Sequence, residues 1–288
     1  MNILLLCNNY GAKYDGIGAY SAKLYNKLAE NGITMEVYSS YCRPENRLYK
    51  ILTLGMTIKF IKATFKIARM QIDKVVIEYP FVEWNPFFIV GFVSLYVVAK
   101  IRGTMVCITV HEYNRANILR KLIIGLMCYF SDQLFITDRE NINSLLKFNK
   151  NIRKIEIPSN IDIKNDTYKK CRNFVYFGII NKSKAFDEMI AAWDIFNSSG
   201  EYQLNVVSST MLSDIELHNN VVYKHDATDK EIEEIMCSSF FSILPIKPIV
   251  DSKNTTFKTS CLAGCISIGK FCDEYKDESF IIAIEDYS

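Results

Sequence analysis

The sequence predicts an α/β protein of two doubly wound domains facing across a cleft. Three observations predict it. Apolar runs of strand length alternate with helix-length segments whose apolar residues recur every three to four positions. The strand runs are almost continuously Val, Ile, Leu and aromatic, as in parallel sheets covered by helices on both faces. The alternation stops at one polar stretch, residues 159–172, and then starts again. A chain of 288 residues is also long for one core and suits two domains.

In the first domain (1–160) strands are expected at "NILLLC" (2–7), "TMEVYSS" (34–40), "KVVIEY" (74–79), "TMVCITV" (104–110), "QLFIT" (133–137) and "KIEIP" (154–158). Helices are expected at 17–31, 47–71, 86–101, 114–131 and 138–149. Ile17, Tyr20, Leu24 and Leu28 give the first helix one apolar stripe, and Gly32 ends it where a left-handed residue is favoured. Asn85-Pro86 sets a cap residue before a proline at the first helical position. The segment 161–172 is charged, poor in apolar residues and reads as a linker. In the second domain (173–288) strands are expected at 173–178, 202–208, 220–224, 240–246, 265–269 and 280–284, with helices at 185–197, 228–237 and 255–263.

The composition excludes several classes. With 34 basic and 32 acidic residues the net charge is +2, so no nucleic-acid partner is expected. Nine cysteines sit mostly inside apolar runs without any CxxC, which fits free thiols of a reducing compartment. "MNILLLCNN" has no basic n-region, and "FFIVGFVSLYVVA" (87–99) is too short to span a bilayer comfortably, so a cytoplasmic protein is expected. No HExxH, GxxxxGK[ST], GxSxG or Asp-x-Asp pair occurs, which disfavours zinc-peptidase, P-loop and α/β-hydrolase chemistry and the usual metal clamp. No metal and no cofactor are expected.

In doubly wound sheets ligands bind beyond the C-terminal strand ends. Gly16 and Gly18 follow the first strand at a helix N-terminus. They read either as a plain turn or as an anion site, since free N–H groups and the helix dipole attract negative charge there. Ser21 replaces the third glycine of the dinucleotide fingerprint. His111 ends the fourth strand in "VHEYNR", as a capping histidine or as a proton carrier and hydrogen-bond donor to a sugar or phosphate. Lys184 lies between strand 173–178 and the next helix, as a surface lysine or as a point charge on a diphosphate. "LPIKPIVDSKNTTFKTS" brings Asp251, Asn254, Thr255, Thr256, Lys258 and Thr259 beyond a buried strand, as a solvated loop or a donor-binding one.

The order of these features resembles the retaining family-4 glycosyltransferases of the GT-B fold, over nearly the whole chain. "DGIGAY" is similar to that family's loop near the donor phosphates and "TVHE" to its strand-end histidine motif. "IPSNID" resembles its interdomain segment, "FGIINKSKAF" its diphosphate lysine loop, and "FSILPI…LAGCISIG" its strand–helix–strand donor region. The resemblance implies two Rossmann-like domains and transfer of a sugar, with retention and without metal, from a nucleoside-diphosphate-sugar. The acceptor would be a glycan or a lipid-linked molecule of bacterial surface polysaccharide synthesis, such as capsule or O-antigen. It implies Gly16, Gly18, Lys184 and Lys258 at the donor diphosphate, Asn254, Thr255, Thr256 and Thr259 at the sugar or nucleotide, and His111 and Asp251 as catalytic residues. The family's arginine beside the diphosphate lysine is Ile179 here, and its glutamate pair falls on Asp251 and Thr259. The second domain ends at "FIIAIEDYS", before the terminal helices the family carries.

Helix 47–71 carries Lys59, Lys62, Lys66 and Arg69 beside Ile58, Ile61 and Phe65, which implies an ordinary sheet-covering helix or peripheral contact with an anionic membrane. A different class of function is also open: a catalytically degenerate GT-B protein acting as a binding or partner subunit. A sugar-nucleotide epimerase of the same fold is a third.

Overall fold

The structure is a computed structural model that describes residues 1–11, 16–40, 54–81, 87–114, 116–137, 139–164, 168–181, 184–211, 220–275 and 277–285. By internal contacts it divides into two units, Met1–Ile157 and Pro158–Ser288.

The N-terminal unit runs β1 (Asn2–Asn8), α1 (Gly16–Glu30), β2 (Thr34–Ser40), α2 (Gly55–Arg69), β3 (Lys74–Tyr79), α3 (Phe88–Arg102), β4 (Met105–Val110), α4 (Ile118–Phe130), β5 (Gln133–Ile136), α5 (Arg139–Leu145) and β6 (Ile152–Lys154). Its six strands form one parallel sheet in the order β2-β1-β3-β4-β5-β6. The continuous apolar run of β1 is used on both faces. Leu4 and Leu6 pack with Phe60, Phe92 and Met127 from α2, α3 and α4, while Ile3, Leu5 and Cys7 pack with Met35 and with Tyr25 and Leu28 of α1. Gly32, at φ 70°, closes α1 in a left-handed conformation that costs other residues energy.

The C-terminal unit runs β7 (Cys171–Phe177), α6 (Phe186–Phe196), β8 (Leu204–Ser208), β9 (Val221–His225), α7 (Asp229–Ser238), β10 (Ser239–Leu244), α8 (Thr255–Leu262), β11 (Ile266–Gly269) and β12 (Ile281–Ala283). These strands also form one parallel sheet, β12-β11-β10-β7-β8-β9. The doubly wound reading therefore holds in both units, and each has a Rossmann-like sheet.

Most element boundaries follow the sequence closely, but helix 114–131 begins only at Ile118, helix 138–149 ends at Leu145, and one strand is displaced. The last strand of the first sheet lies at Ile152–Lys154, not at 154–158. "KIEIP" alternates like a strand, but β5 ends at Ile136 and its carbonyl takes its last bond from the Ile155 N–H, 2.9 Å away. An edge strand pairs only as far as its neighbour reaches. Of helix 47–71, Gly55–Arg69 is observed and residues 47–53 lie outside the described residues, as do Asn85 and Pro86. No helix among the described residues is long and apolar enough to cross a membrane.

The polar stretch read as a linker is bound to the C-terminal unit wherever it is described. Ile161 is buried, and the Lys164 N–H donates to the Glu233 carboxylate at 2.6 Å. The Lys170 ammonium donates to the carbonyls of Ser239 and Ala263, each at 2.7 Å, just past the ends of α7 and α8. A cation there satisfies carbonyls that have no helical partner and meets the negative ends of two dipoles.

Helices α2 and α3 pack at glycine distance. A Cβ on Gly91 would stand 2.8 Å from the Phe60 Cβ and 3.2 Å from the Thr57 carbonyl oxygen. We expect Gly91→Ala to cost about 1–3 kcal/mol, the usual range for overpacking. Urea denaturation checks it, and an unchanged midpoint would show that the helix pair can slide apart freely.

Candidate functional site

Two rims of chemistry-bearing residues lie at C-terminal strand ends, one in each unit.

In the C-terminal unit the rim is built on the adjacent strands β7 and β10. Strand β7 is followed by Gly178 at φ 148°, where a Cβ would lie 3.6 Å from the Thr256 Oγ1. Glycine thus lets the chain turn away while passing close to the start of α8. The Thr210 hydroxyl holds the following loop by accepting from the Ile180 N–H at 3.0 Å. Lys184 is then pinned by backbone contacts. Its N–H donates to the Asn181 carbonyl (2.9 Å), it bridges to Ile246 just beyond β10, and the next N–H, of Ala185, donates to the Pro245 carbonyl (2.7 Å). Burial holds the Lys184 ammonium below the usual lysine range. No acid among the described residues pairs with it, so an anion would restore what desolvation removes.

Helix α8 begins beside this rim. Asn254 caps it by accepting from the Phe257 N–H at 2.7 Å, and Asp251 supports the cap, its carbonyl accepting from the Asn254 N–H and its carboxylate from the Lys253 N–H. Thr255 and Thr256 are the first two residues after the cap, where helix amides have no intrahelical partner and the dipole is positive. Lys258, in the first turn, adds a charge. The Thr255 hydroxyl accepts from the Asn160 side chain at 3.3 Å. Thr259 is different. Its hydroxyl is fully buried, 2.7 Å from the Ser159 Oγ and 2.9 Å from the Thr255 carbonyl, so it ties the 158–161 segment to α8 instead of facing a ligand.

In the N-terminal unit, His111 follows β4, and its N–H donates to the Tyr79 carbonyl at the end of β3. Its Nε2 lies 2.8 Å from a carboxylate oxygen of Glu78, whose other oxygen accepts from the Thr109 hydroxyl at 3.0 Å. Glu78 is wholly buried and His111 nearly so. The Tyr20 ring stacks edge-on against the imidazole at 5.5 Å. Its hydroxyl is pushed well above the usual tyrosine range by burial, then by the Glu78 charge. Bonding through Nε2 fixes the ring and leaves Nδ1 as its other polar atom. In the same unit the buried atoms Asn8 Nδ2 at the end of β1, Ser21 Oγ on α1 beside Tyr20 and Thr137 Oγ1 just past β5 have no hydrogen-bond partner among the described residues. Orphaned buried groups are rare in native structures and mark a place for a ligand or water. Gly16 opens α1 at the surface, and Gly18 lies buried two positions further, its carbonyl accepting from the Gly11 N–H.

Sequence reading missed Glu78. Its one visible signal is an acid inside the apolar run "KVVIEY", which a fully buried strand tolerates only with a partner. It also missed an apolar groove of about 1200 Å³ on the C-terminal sheet, lined by Phe174, Trp193, Phe196, Tyr202, Phe241 and Ile268. Among the described residues no cluster of His, Cys, Asp and Glu could hold a metal ion.

No protein-family model matches the chain, and no curated protein does. Solved structures do share its fold. An alpha-glucosyltransferase in complex with UDP and DNA matches with a TM-score of 0.62 at 14% identity, over 93% of this chain and 79% of that one. HepE of Anabaena in complex with UDP matches at 0.62 and 12% identity, over 100% and 87%. A glycosyltransferase from Rickettsia africae matches at 0.63 and 13% identity, over 99% and 85%. The chain has the two-domain GT-B glycosyltransferase fold.

Proposed function

We propose that the protein is a glycosyltransferase that takes a sugar from a nucleoside-diphosphate-sugar, with UDP as the carrier. The observation that carries this reading is Lys184: a desolvated ammonium with no acid partner among the described residues, in the loop beyond β7, bridged to Ile246 just past the neighbouring strand β10, which leads toward the N-terminus of α8. That pairing suits a diphosphate. The similar structures solved with UDP or UDP-glucose support the carrier.

In the mechanism we infer, Lys184, Lys258 and the α8 amides stabilise charge on the departing diphosphate, the kind of electrostatic help that usually dominates. Gly16 and Gly18, in the first turn of α1, add helix-terminus N–H groups. Asp251, Asn254, Thr255 and Thr256 orient the sugar or nucleotide. His111, held by Glu78, offers a fixed imidazole to a sugar hydroxyl or to the proton that must leave the acceptor. Transfer of a hexosyl group with retention and without metal, to a glycan or lipid-linked acceptor of bacterial surface polysaccharide synthesis, completes the proposal. So does peripheral membrane contact through helix 47–71 in the cytoplasm.

One observation favours a second reading, the degenerate binding subunit. The position matching the family's second glutamate is Thr259, which is buried and internally bonded, so that hold on the nucleotide is lost.

The test is to incubate the protein with UDP-, GDP-, CDP- and ADP-sugars plus membrane lipid extract, glycan or duplex DNA, and follow nucleotide release. Release from a UDP-sugar is expected. No release with any donor, and no nucleotide-induced rise in melting temperature, would sink the enzyme reading. Transfer to DNA would overturn the acceptor.

A further inference from the structure

The outer face of the N-terminal helical layer is apolar where a water-facing layer should be polar. Helices α2, α3 and α4 share one core on one side of the sheet. Their opposite faces show Ile58, Ile61 and Phe65 on α2, Val90, Val93, Val97 and Ile101 on α3, and Ile118, Leu122, Leu126 and Tyr129 on α4, all exposed. These are regular stripes, spaced three or four residues apart. Val90 is 65% exposed, Ile101 77% and Ile118 80%. Isolated exposed aliphatic residues need no explanation, but three parallel stripes on packed neighbouring helices form one patch.

Charge identifies what covers it. The three helices carry eight basic residues, Lys59, Lys62, Lys66, Arg69, Lys100, Arg102, Arg120 and Lys121, and no Asp or Glu. All 32 acids of the chain lie elsewhere, against 26 of its 34 basic residues. Lys66 pairs with Glu36 and Lys100 with Asp132, both acids from outside the layer. A second copy of this face would bring like charge against like charge, and an apolar protein partner gives no reason to exclude acids. An anionic lipid surface answers both features at once, because it takes apolar side chains below its headgroups and basic ones at them. The helices are 13 to 15 residues long, about 20–22 Å, fit to lie in an interface rather than cross it.

We propose that α2, α3 and α4 together form a docking face for an anionic bilayer, with α3 and α4 supplying most of the inserted apolar side chains. The face binds whether or not the chain transfers sugars.

Sedimentation with vesicles tests this. The protein should pellet with phosphatidylcholine vesicles containing about a third phosphatidylglycerol, and at least tenfold less with pure phosphatidylcholine. Salt at about 0.5 M should weaken the binding, since it screens the charges. Val90→Asp with Leu122→Asp, both at exposed positions, should cut partitioning at least tenfold at an unchanged melting temperature. Should that pair disturb folding, Lys59→Gln with Lys62→Gln serves instead, with a severalfold loss expected. Equal binding to neutral vesicles, or none to anionic ones, would overturn the proposal. So would a dimer in light scattering that Val90→Asp with Leu122→Asp dissolves while vesicles fail to recruit the wild type.

Discussion

Lys184→Ala should lower donor turnover about 100-fold and abolish the nucleotide-induced rise in melting temperature, while the free protein melts no lower than wild type. The first part follows from removing one preorganised cation facing developing charge, which typically costs 10²–10³ in rate. The second follows from burial. The folded state holds the Lys184 pKa below its ordinary value, so it disfavours the charged form. Between that lowered pKa and the ordinary value the unfolded chain binds more protons, so wild-type stability rises with pH there. The alanine variant should lack that rise. Nucleotide affinity runs the other way, weakening as pH climbs through the lowered pKa and the cation is lost. Lys184→Arg should restore part of the affinity. Turnover unchanged in Lys184→Ala would remove Lys184 from the site and leave the glycosyltransferase reading to the other residues.

Glu78→Ala should destabilise the N-terminal unit by about 1–3 kcal/mol for each buried group it leaves without a hydrogen-bond partner. His111 and Thr109 would then lose their hydrogen-bond partner in a buried site. Glu78→Gln keeps the shape and one acceptor, and should cost about 1–2 kcal/mol. A cycle with His111→Ala separates the pair from its surroundings, and a coupling of about 1–3 kcal/mol is expected. Urea unfolding measures all four. A coupling near zero would mean that the carboxylate and the imidazole stand side by side without depending on each other. Under the proposed mechanism Glu78→Gln should also reduce turnover beyond its effect on stability, because the amide no longer fixes the imidazole.

The sequence made the architecture legible for a physical reason. A strand buried on both faces needs apolar side chains at every position, so "NILLLC" and "KVVIEY" declare both their ends and their place in a covered sheet. Lys184 was legible because strand, glycine, loop and helix are local in sequence. What escaped was long-range. Nothing near Lys170 reveals that its ammonium will meet carbonyls 69 and 93 residues away, so a stretch that clamps two helices reads as a linker. Glu78 was hidden because its partner lies 33 residues on, across a strand pairing. Thr259 aligned with a ligand-binding position, but burial is a tertiary property, and its partner Ser159 lies 100 residues away.

The order of strands also sets a clock for biosynthesis. Each sheet is built around the first strand of its unit: β1 lies between β2 and β3, and β7 between β8 and β10. Residue Ile3 waits for Lys74, and Cys171 for Ser239. At about 5–20 residues per second, about 70 residues of further translation takes about 4–14 s. During that time "ILLLC" stands outside the ribosome with one edge unpaired, and "FVYF" does so again later. A nascent chain of this protein thus presents two separate intervals of sticky, unfinished sheet. Slowing synthesis lengthens each in proportion.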